Sequence, residues 1–154
     1  MTYWQIISAA AKAAKVSAVL LYAICSHESN GFMYDYTMYD NGSPSFSVCQ
    51  VKLETAKMLG FKGNPMELRN PHVGIKYAAL YLKYQQDRYG EDWVRLAASF
   101  NAGSYVEGKI KGCPRNLRYL QLVQKKLDNE HQHMLDCKEN RNFVDTLGEL
   151  YESG

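Results

Sequence analysis

The segment from Ser17 to Gly31 constrains the fold most, because it predicts a short helix with one inward-facing apolar stripe. Ser17 is a good N-cap, and Gly31 is a plausible C′ residue at which the helix stops. Leu20, Ile24 and Glu28 lie between them at four-residue steps. Glu28 is therefore predicted in the last turn, on the face that packs inward. A domain built around this helix places a carboxyl group at the edge of its core.

A carboxyl group in that place has a raised pKa. Desolvation disfavours its charged form, and so does the negative end of the helix dipole. A general acid must keep its proton near neutral pH, so Glu28 is a candidate for that role. The alternative is a surface glutamate that merely ends a helix.

The composition suits one soluble domain. The chain has 154 residues, of which 46% are hydrophobic and 22% charged. A formal net charge of +2 is too small to indicate nucleic acid as a partner. The 12 tyrosines either fill the core or supply flat rings that stack on sugars.

The chain shows no apolar segment long enough to span a bilayer, so we expect no stable membrane insertion. The N-terminus lacks a basic region followed by an apolar stretch and a small-residue cleavage site. We therefore expect no signal peptide and synthesis in the cytoplasm.

The four cysteines form no C-x-x-C pair and permit three disulfide connectivities. Cys25 and Cys49 lie within apolar patterns, which favours buried free thiols and a reducing compartment. His131, His133 and Cys137 could suggest a zinc ion, but no second cluster of ligands stands nearby in sequence. We expect neither a metal nor a cofactor.

Helical patterns with capping residues cover most of the remaining chain, so the fold class predicted is mainly α. The predicted helices, besides the one that carries Glu28, span about 2–15, 52–59, 70–89, 93–100 and 115–127. Residues 30–47 lose this periodicity and predict a long polar and aromatic loop, of a length that is usually functional. Residues 128–154 predict a C-terminal extension, docked or flexible, with Phe143, Leu147 and Leu150 at helical spacing. We therefore divide the chain into a domain, 1–127, and this extension.

Four short segments, taken in order and spacing, give the chain a resemblance to a known family. They are Ala23–Ser29, Ser45–Val51, Ala97–Gly103, and Tyr119-Leu120 followed by Val123. Over about Val16 to Leu127 the chain resembles the catalytic domain of the Slt-type lytic transglycosylases, a branch of the lysozyme-like superfamily. The resemblance implies a lysozyme-like, goose-type helical fold with a deep sugar-binding cleft.

The resemblance also implies roles for particular residues. Glu28 corresponds to the single catalytic acid/base, and Ser29 helps to fix the end of its helix. Asn101 corresponds to a residue that hydrogen-bonds substrate. Tyr119 matches the late tyrosine that faces the catalytic glutamate across the cleft.

Two matching segments depart from the family pattern. Ser47-Val48-Cys49-Gln50 stands where the family usually has Gly-Leu-Met-Gln, and the resemblance implies that Ser47, Val48 and Gln50 line the sugar cleft. Phe100 stands where the family usually has tyrosine in the Tyr-Asn-Ala-Gly motif, and it lacks the hydroxyl. Either Tyr119 alone orients Glu28, or a loop tyrosine such as Tyr39 replaces the missing contact.

The activity implied is cleavage of the β-1,4 bond between N-acetylmuramic acid and N-acetylglucosamine in peptidoglycan, closing a 1,6-anhydro ring. The expected partner is the peptidoglycan glycan strand, and the expected state is a monomer. A phage lysin or virion-associated wall-degrading protein is the expected setting. The alternative setting is a periplasmic enzyme of a secretion or conjugation apparatus whose signal was removed.

Two other functions stay open at this point. Asp35 or Asp40 could position a water, which would make the protein an inverting muramidase. Both residues could equally serve turn formation. A non-catalytic peptidoglycan-binding module is the second alternative, favoured by Phe100 and opposed by the retained Glu28.

Overall fold

The structure, a computed structural model, describes residues 1–127. This part contains six α-helices, one 3-10 helix and a small antiparallel sheet. The elements in chain order are α1 Tyr3–Ala14, α2 Ala18–Glu28, β1 Tyr36–Asp40, β2 Ser43–Phe46, β3 Val51–Lys52, α3 Leu53–Met58, a 3-10 helix Pro65–Arg69, α4 Pro71–Tyr89, α5 Trp93–Ala102 and α6 Leu117–Gln124.

The helix starts agree with the predicted caps. Thr2 and Gln5 form a reciprocal capping box at α1. The side chain of Ser17 accepts a hydrogen bond from the third residue of α2. Asn70 caps α4, and Asp92 caps α5. Each cap satisfies a backbone N–H that the helix itself leaves without a partner.

Helix α2 ends slightly earlier than the glycine signal predicts. Glu28 is its last residue, and Asn30, rather than Gly31, is the first left-handed residue after it, with φ 52°. Ser29 fixes this end, as expected. Its buried hydroxyl donates to the carbonyl of Cys25 at 2.7 Å and accepts from the N–H of Phe32 at 2.9 Å.

The predicted loop over 30–47 is wrong, because most of it forms a β-hairpin. Strands β1 and β2 pair antiparallel, and β3 adds to β2. The turn between β1 and β2 places Asn41 and Gly42 at φ 55° and 91°. Positive φ at both central residues is the type I′ hairpin geometry that Asn-Gly favours. The Asn-Gly pair is the sequence signal for this turn, but the absence of helical periodicity led to the prediction of a loop instead of strands.

The helices pack around a single core. Helix α1 lies against α2 and α4, and α5 lies between α4 and α6. Leu21 and Ile24 of α2 are completely buried in this core. The hydrophobic burial of α2 therefore fixes the direction in which Glu28 leaves the helix end.

A disulfide joins Cys25 of α2 to Cys49, whose Cα atoms lie 4.1 Å apart. Cys113 is disulfide-bonded as well. The prediction of free thiols is therefore wrong, because an apolar sequence pattern indicates burial without indicating which cysteines meet. The inference of a reducing compartment rested on free thiols and is withdrawn with them.

Several predictions concern residues outside 1–127. The candidate metal ligands His131, His133 and Cys137 lie there, and so does the whole extension 128–154 with its apolar residues. The division at residue 127 stays a prediction. Among the described residues, no helix combines the length and apolar character needed to cross a membrane.

Candidate active site

The Glu28 carboxyl is half-buried at the end of α2. Burial raises its pKa to about 7, and the negative charge of Asp40 acts in the same direction. The nearby Tyr119 hydroxyl acts in the opposite direction. A carboxyl with this pKa exchanges its proton near neutral pH, as both an acid and a base must.

Tyr119 of α6 lies beside Glu28, as the resemblance implies. Its hydroxyl is buried, and it makes no hydrogen bond of standard geometry with the part of the chain that the structure describes. Burial and the Glu28 carboxyl raise the pKa of Tyr119 well above its usual value. The phenol therefore stays protonated and lies close enough to Glu28 to act on the pKa of its carboxyl. Such contacts commonly tighten when substrate binds.

His27 is a site residue that the sequence analysis missed. Its ring meets the ring of Tyr119 edge to face, with 5.1 Å between the centroids. Burial and the charge of Lys126 lower the pKa of His27. A neutral imidazole adds no positive charge beside Glu28, so it does not oppose the raised pKa of the acid. Its position next to Glu28 in sequence gave no hint of the contact with α6.

The two aspartates considered for a hydrolytic site differ in their relation to Glu28. Asp40, at the end of β1, is the one whose charge acts on Glu28. Its carboxylate accepts a hydrogen bond from the Ser45 hydroxyl at 2.6 Å and pairs with Lys52 at 3.5 Å. Asp35 is exposed and pairs with Arg69 at 3.3 Å. Asp40 is thus the second carboxylate of the site.

Lys52 also holds the hairpin turn. Its ammonium group donates to the carbonyl of Asp40 and to the carbonyl of Ser43, the latter at 2.8 Å. It reaches the Ser43 hydroxyl at 3.0 Å. One cation therefore connects β3 to both ends of the β1–β2 turn and fixes Asp40 relative to the sheet.

The side chain of Gln50 is held in place by two neighbours. Its amide oxygen accepts from the Thr37 hydroxyl at 2.6 Å, and its amide nitrogen donates to the Ser47 carbonyl at 2.9 Å. The second N–H of the amide is left for a ligand. Ser47 and Val48 are buried, each residue 1% exposed, so neither presents open surface to a sugar.

Ser47 has φ 65°, a conformation that favours glycine, yet it carries a side chain. That side chain points toward Gly74 of α4, where an added Cβ would overlap the Ser47 side chain and the Leu68 carbonyl. The Ser47 side chain therefore packs against α4. The side chain occupies space that a glycine on the facing helix leaves open.

Asn101 is exposed at the end of α5, and a neighbouring side chain orients its amide. The amide of Asn116 donates to the Asn101 side-chain oxygen at 2.9 Å and to the Ala98 carbonyl at 3.0 Å. The N–H groups of Asn101 thus point outward and can donate to a ligand. Asn116 is a second residue that the sequence analysis missed.

Phe100 and Tyr39 lie apart from the acid. The ring of Phe100 is 8% exposed and packs against Tyr81 at 5.1 Å, so it serves the core. Tyr39 is 83% exposed. The tyrosine hydroxyl that acts on the Glu28 carboxyl is that of Tyr119. Tyr39 therefore does not orient Glu28, and a role in stacking on sugar stays a prediction.

The described residues contain no group of three or more side chains suited to hold a metal ion. A groove of about 470 Å³ lies between α1 and α4, lined by residues such as Ala10 and Lys76. None of the site residues borders it. The chemistry available at Glu28 is proton transfer by a buried carboxyl, with amide donors and a second carboxylate nearby.

Comparison with known proteins gives one match. The family model described as the transglycosylase SLT domain matches residues 5–134, which is most of the chain. No curated protein and no solved structure matches the chain.

Proposed function

The chain belongs to the transglycosylase SLT family, and from this premise we propose that Glu28 cleaves glycan strands to give 1,6-anhydromuramic acid ends. Members of the family are lytic transglycosylases that act on peptidoglycan, so the protein is a lytic transglycosylase with a lysozyme-like fold. The nature of the product and the roles of individual residues are the proposal.

In the first step, the protonated Glu28 carboxyl donates its proton to the β-1,4 glycosidic oxygen between N-acetylmuramic acid and N-acetylglucosamine. The bond to the muramyl C1 breaks, and its electron pair leaves with the protonated oxygen. The N-acetyl group of the muramyl residue stabilises the resulting oxocarbenium-like centre. Because burial raises the pKa of Glu28 to about 7, a large fraction of the carboxyl is protonated at neutral pH.

In the second step, the Glu28 carboxylate takes the proton from the C6 hydroxyl of the same muramyl residue. The freed oxygen attacks C1 and closes the 1,6-anhydro ring, which returns Glu28 to its protonated form. No water is consumed. One carboxyl with a pKa near the working pH is able to serve both steps.

The remaining polar groups have binding roles in this proposal. The free N–H groups of Gln50 and Asn101 donate hydrogen bonds to the sugar, and each is oriented by a fixed neighbour. The Tyr119 hydroxyl donates to the ionised Glu28 carboxyl, a contact that tightens once substrate excludes water. The glycan lies between the hairpin and α6, which come from opposite sides of Glu28.

The observation that carries the proposal is the half-buried Glu28 carboxyl with a pKa near 7, set beside Tyr119 in an SLT domain. The test is mass spectrometry of muropeptides released from purified sacculi. We expect products that end in 1,6-anhydromuramic acid from the wild type and none from Glu28→Gln. Reducing ends from the wild type would contradict the proposed product.

Hydrolysis is a second candidate reaction, and the location of Asp40 favours it. Asp40 is fixed by Ser45 and Lys52, and its charge acts on Glu28. A carboxylate placed in this way could activate a water on the face of the sugar opposite Glu28, as inverting glycosidases do. Phe100, which favoured a non-catalytic module, is part of the core and gives that alternative no support.

Asp35 provides the matched control for this second reaction, since it is exposed, pairs with Arg69 and is not among the groups that shift the pKa of Glu28. If water is the nucleophile, Asp40→Asn abolishes the reducing-end products and Asp35→Asn leaves them unchanged. If the muramyl C6 hydroxyl is the nucleophile, both variants keep releasing anhydro products.

We also propose that the protein acts on the cell wall, outside the reducing cytoplasm, as a monomer. The disulfide between Cys25 and Cys49 and the disulfide-bonded Cys113 support an oxidising environment. A phage wall-degrading protein is the proposed setting. The test is the redox state of its cysteines, measured by alkylation and mass spectrometry of protein taken from its natural source.

A further inference from the structure

The Cys25–Cys49 disulfide connects the two segments that carry the site. Cys25 lies one helical turn before Glu28, and Cys49 directly precedes Gln50. Both cysteines are completely buried. The crosslink therefore ties the helix end that bears the acid to the turn that bears a sugar-binding amide.

The turn that holds Cys49 needs support. It begins at Ser47 and ends at Gln50, which have φ values of 65° and 54° without being glycine. Such left-handed residues persist only where the surrounding structure fixes them. The N–H of Gln50 donates to the Ser47 carbonyl at 3.0 Å, which closes the turn but does not connect it to α2. The disulfide supplies that connection.

We propose, building on the proposed function, that the disulfide is a positioning element that holds the Ser47–Gln50 turn against the last turn of α2. It keeps the Gln50 amide and the Glu28 carboxyl on the same sugar residue. Its sulfurs touch neither the substrate nor the reacting atoms. Its contribution is to fix the distance between the Gln50 amide and the Glu28 carboxyl, the two groups that contact the substrate.

We also expect the crosslink to limit the access of water to Glu28. The charged or titratable groups that act on this carboxyl are Asp40 of β1 and Tyr119 of α6. Loosening the turn admits water beside the carboxyl without removing either group. Because burial is the largest cause of the raised pKa, the pKa of Glu28 then falls toward its ordinary value.

The test compares the wild type with the double variant Cys25→Ala/Cys49→Ala. The control is Ile7→Ala, which removes buried volume from α1, a helix that carries none of the site residues. We expect the double variant to lose about tenfold in kcat on sacculi, the scale of a small misplacement of reacting groups. We expect the control to keep the wild-type kcat at a similarly lowered Tm.

A second readout does not depend on activity. Titration of the Glu28 carboxyl by carbon NMR should give a lower pKa in the double variant than in the wild type and the control. An unchanged Glu28 pKa in the folded double variant would overturn the positioning inference, even if the wild type released no product. An inactive wild type would overturn the proposed function alone.

The alanine pair could fail to fold, so a second variant is needed. Cys25→Val/Cys49→Ala restores more of the buried apolar volume while leaving the two segments unlinked. If this variant folds with wild-type kcat and an unchanged Glu28 pKa, the disulfide has only a structural role. The expected result is a lowered kcat and pKa that the added volume does not restore.

Discussion

The two sides of Glu28 are built in different ways. On the helical side, Tyr119 and His27 pack ring against ring, and the Tyr119 hydroxyl has no hydrogen bond of standard geometry among the described residues. On the hairpin side, Asp40 is held by the Ser45 hydroxyl and by Lys52. The comparison teaches that the two neighbours of Glu28 act on its pKa in opposite directions: the Tyr119 hydroxyl lowers it, and the Asp40 carboxylate raises it.

The largest effect should come from removing the acid itself. Glu28→Gln keeps the shape of the side chain and removes the proton donor, so lysis of sacculi should fall by at least ~100-fold. Turbidity loss of sacculi, with Tm as the control for folding, measures it. A folded variant with more than half the wild-type rate would mean that Glu28 is not the catalytic acid.

The same substitution should stabilise the fold at neutral and alkaline pH. Glu28 has a pKa near 7 in the native state and 4.5 as its ordinary value, so the native state binds this proton more tightly. Its contribution is therefore most favourable below about pH 4.5 and is lost as pH rises through about 7. The difference is on the order of 2–3 kcal/mol. Denaturant titrations of wild type and Glu28→Gln at pH 5 and pH 8 check it, and equal differences at both pH values would exclude it.

Tyr119→Phe should lower kcat by about tenfold, because the hydroxyl is placed to donate to the Glu28 carboxylate once substrate is bound. The substitution removes little volume, so Tm should stay near the wild-type value. Steady-state kinetics on sacculi measure the change. Full activity would show that the Tyr119 hydroxyl does not contribute to catalysis and that the residue only helps to exclude water from Glu28.

Asp40→Asn tests the hairpin side through pH. The Asp40 charge raises the pKa of Glu28, so its removal should lower that pKa. Because activity needs the protonated acid, the alkaline limb of the kcat profile should move to lower pH. Asp35→Asn is the control and should leave the limb in place. If the alkaline limb does not move in Asp40→Asn, the Asp40 charge has no effect on the pKa of Glu28.

The smallest effect should come from Lys52→Met. This change removes the cation that bridges β3 to Asp40 and Ser43, at a partly exposed position. We expect a loss of about 1 kcal/mol in stability. Amide hydrogen exchange should become faster in the Asn41-Gly42 turn and stay unchanged in α2. Equal protection in both proteins would show that the strand pairing alone holds the hairpin.

The helical side was largely predictable from the sequence. Ser17, Leu20 and Ile24 fixed the start and the inward face of α2, and Glu28 followed from that spacing. Periodicity and caps are local signals, and the core follows them. The meeting of Tyr119 with Glu28 came from the family resemblance, since no local pattern indicates which helices face each other.

The hairpin side was mostly not predictable. Its strands are short and polar, and their stability comes from contacts such as Lys52 with Asp40, which lie twelve residues apart. The pairing of Cys25 with Cys49 was likewise hidden, because burial is local information and pairing is not. Asn116 and His27 act through contacts with distant elements, so their residue types alone gave no signal.

The contact between Ser47 and Gly74 restricts which side chains the two positions can carry together. Ser47 has a left-handed backbone but carries a side chain, and the facing helix has glycine at position 74, which leaves room for it. Side chains at the two positions would therefore compete for the same space. Glycine at position 47 would remove one of the two overlaps that an added Cβ at Gly74 meets, because the overlap with the Leu68 carbonyl stays. Gly74→Ala should therefore be damaging alone and only partly relieved by Ser47→Gly, as Tm values of the single and double variants would show.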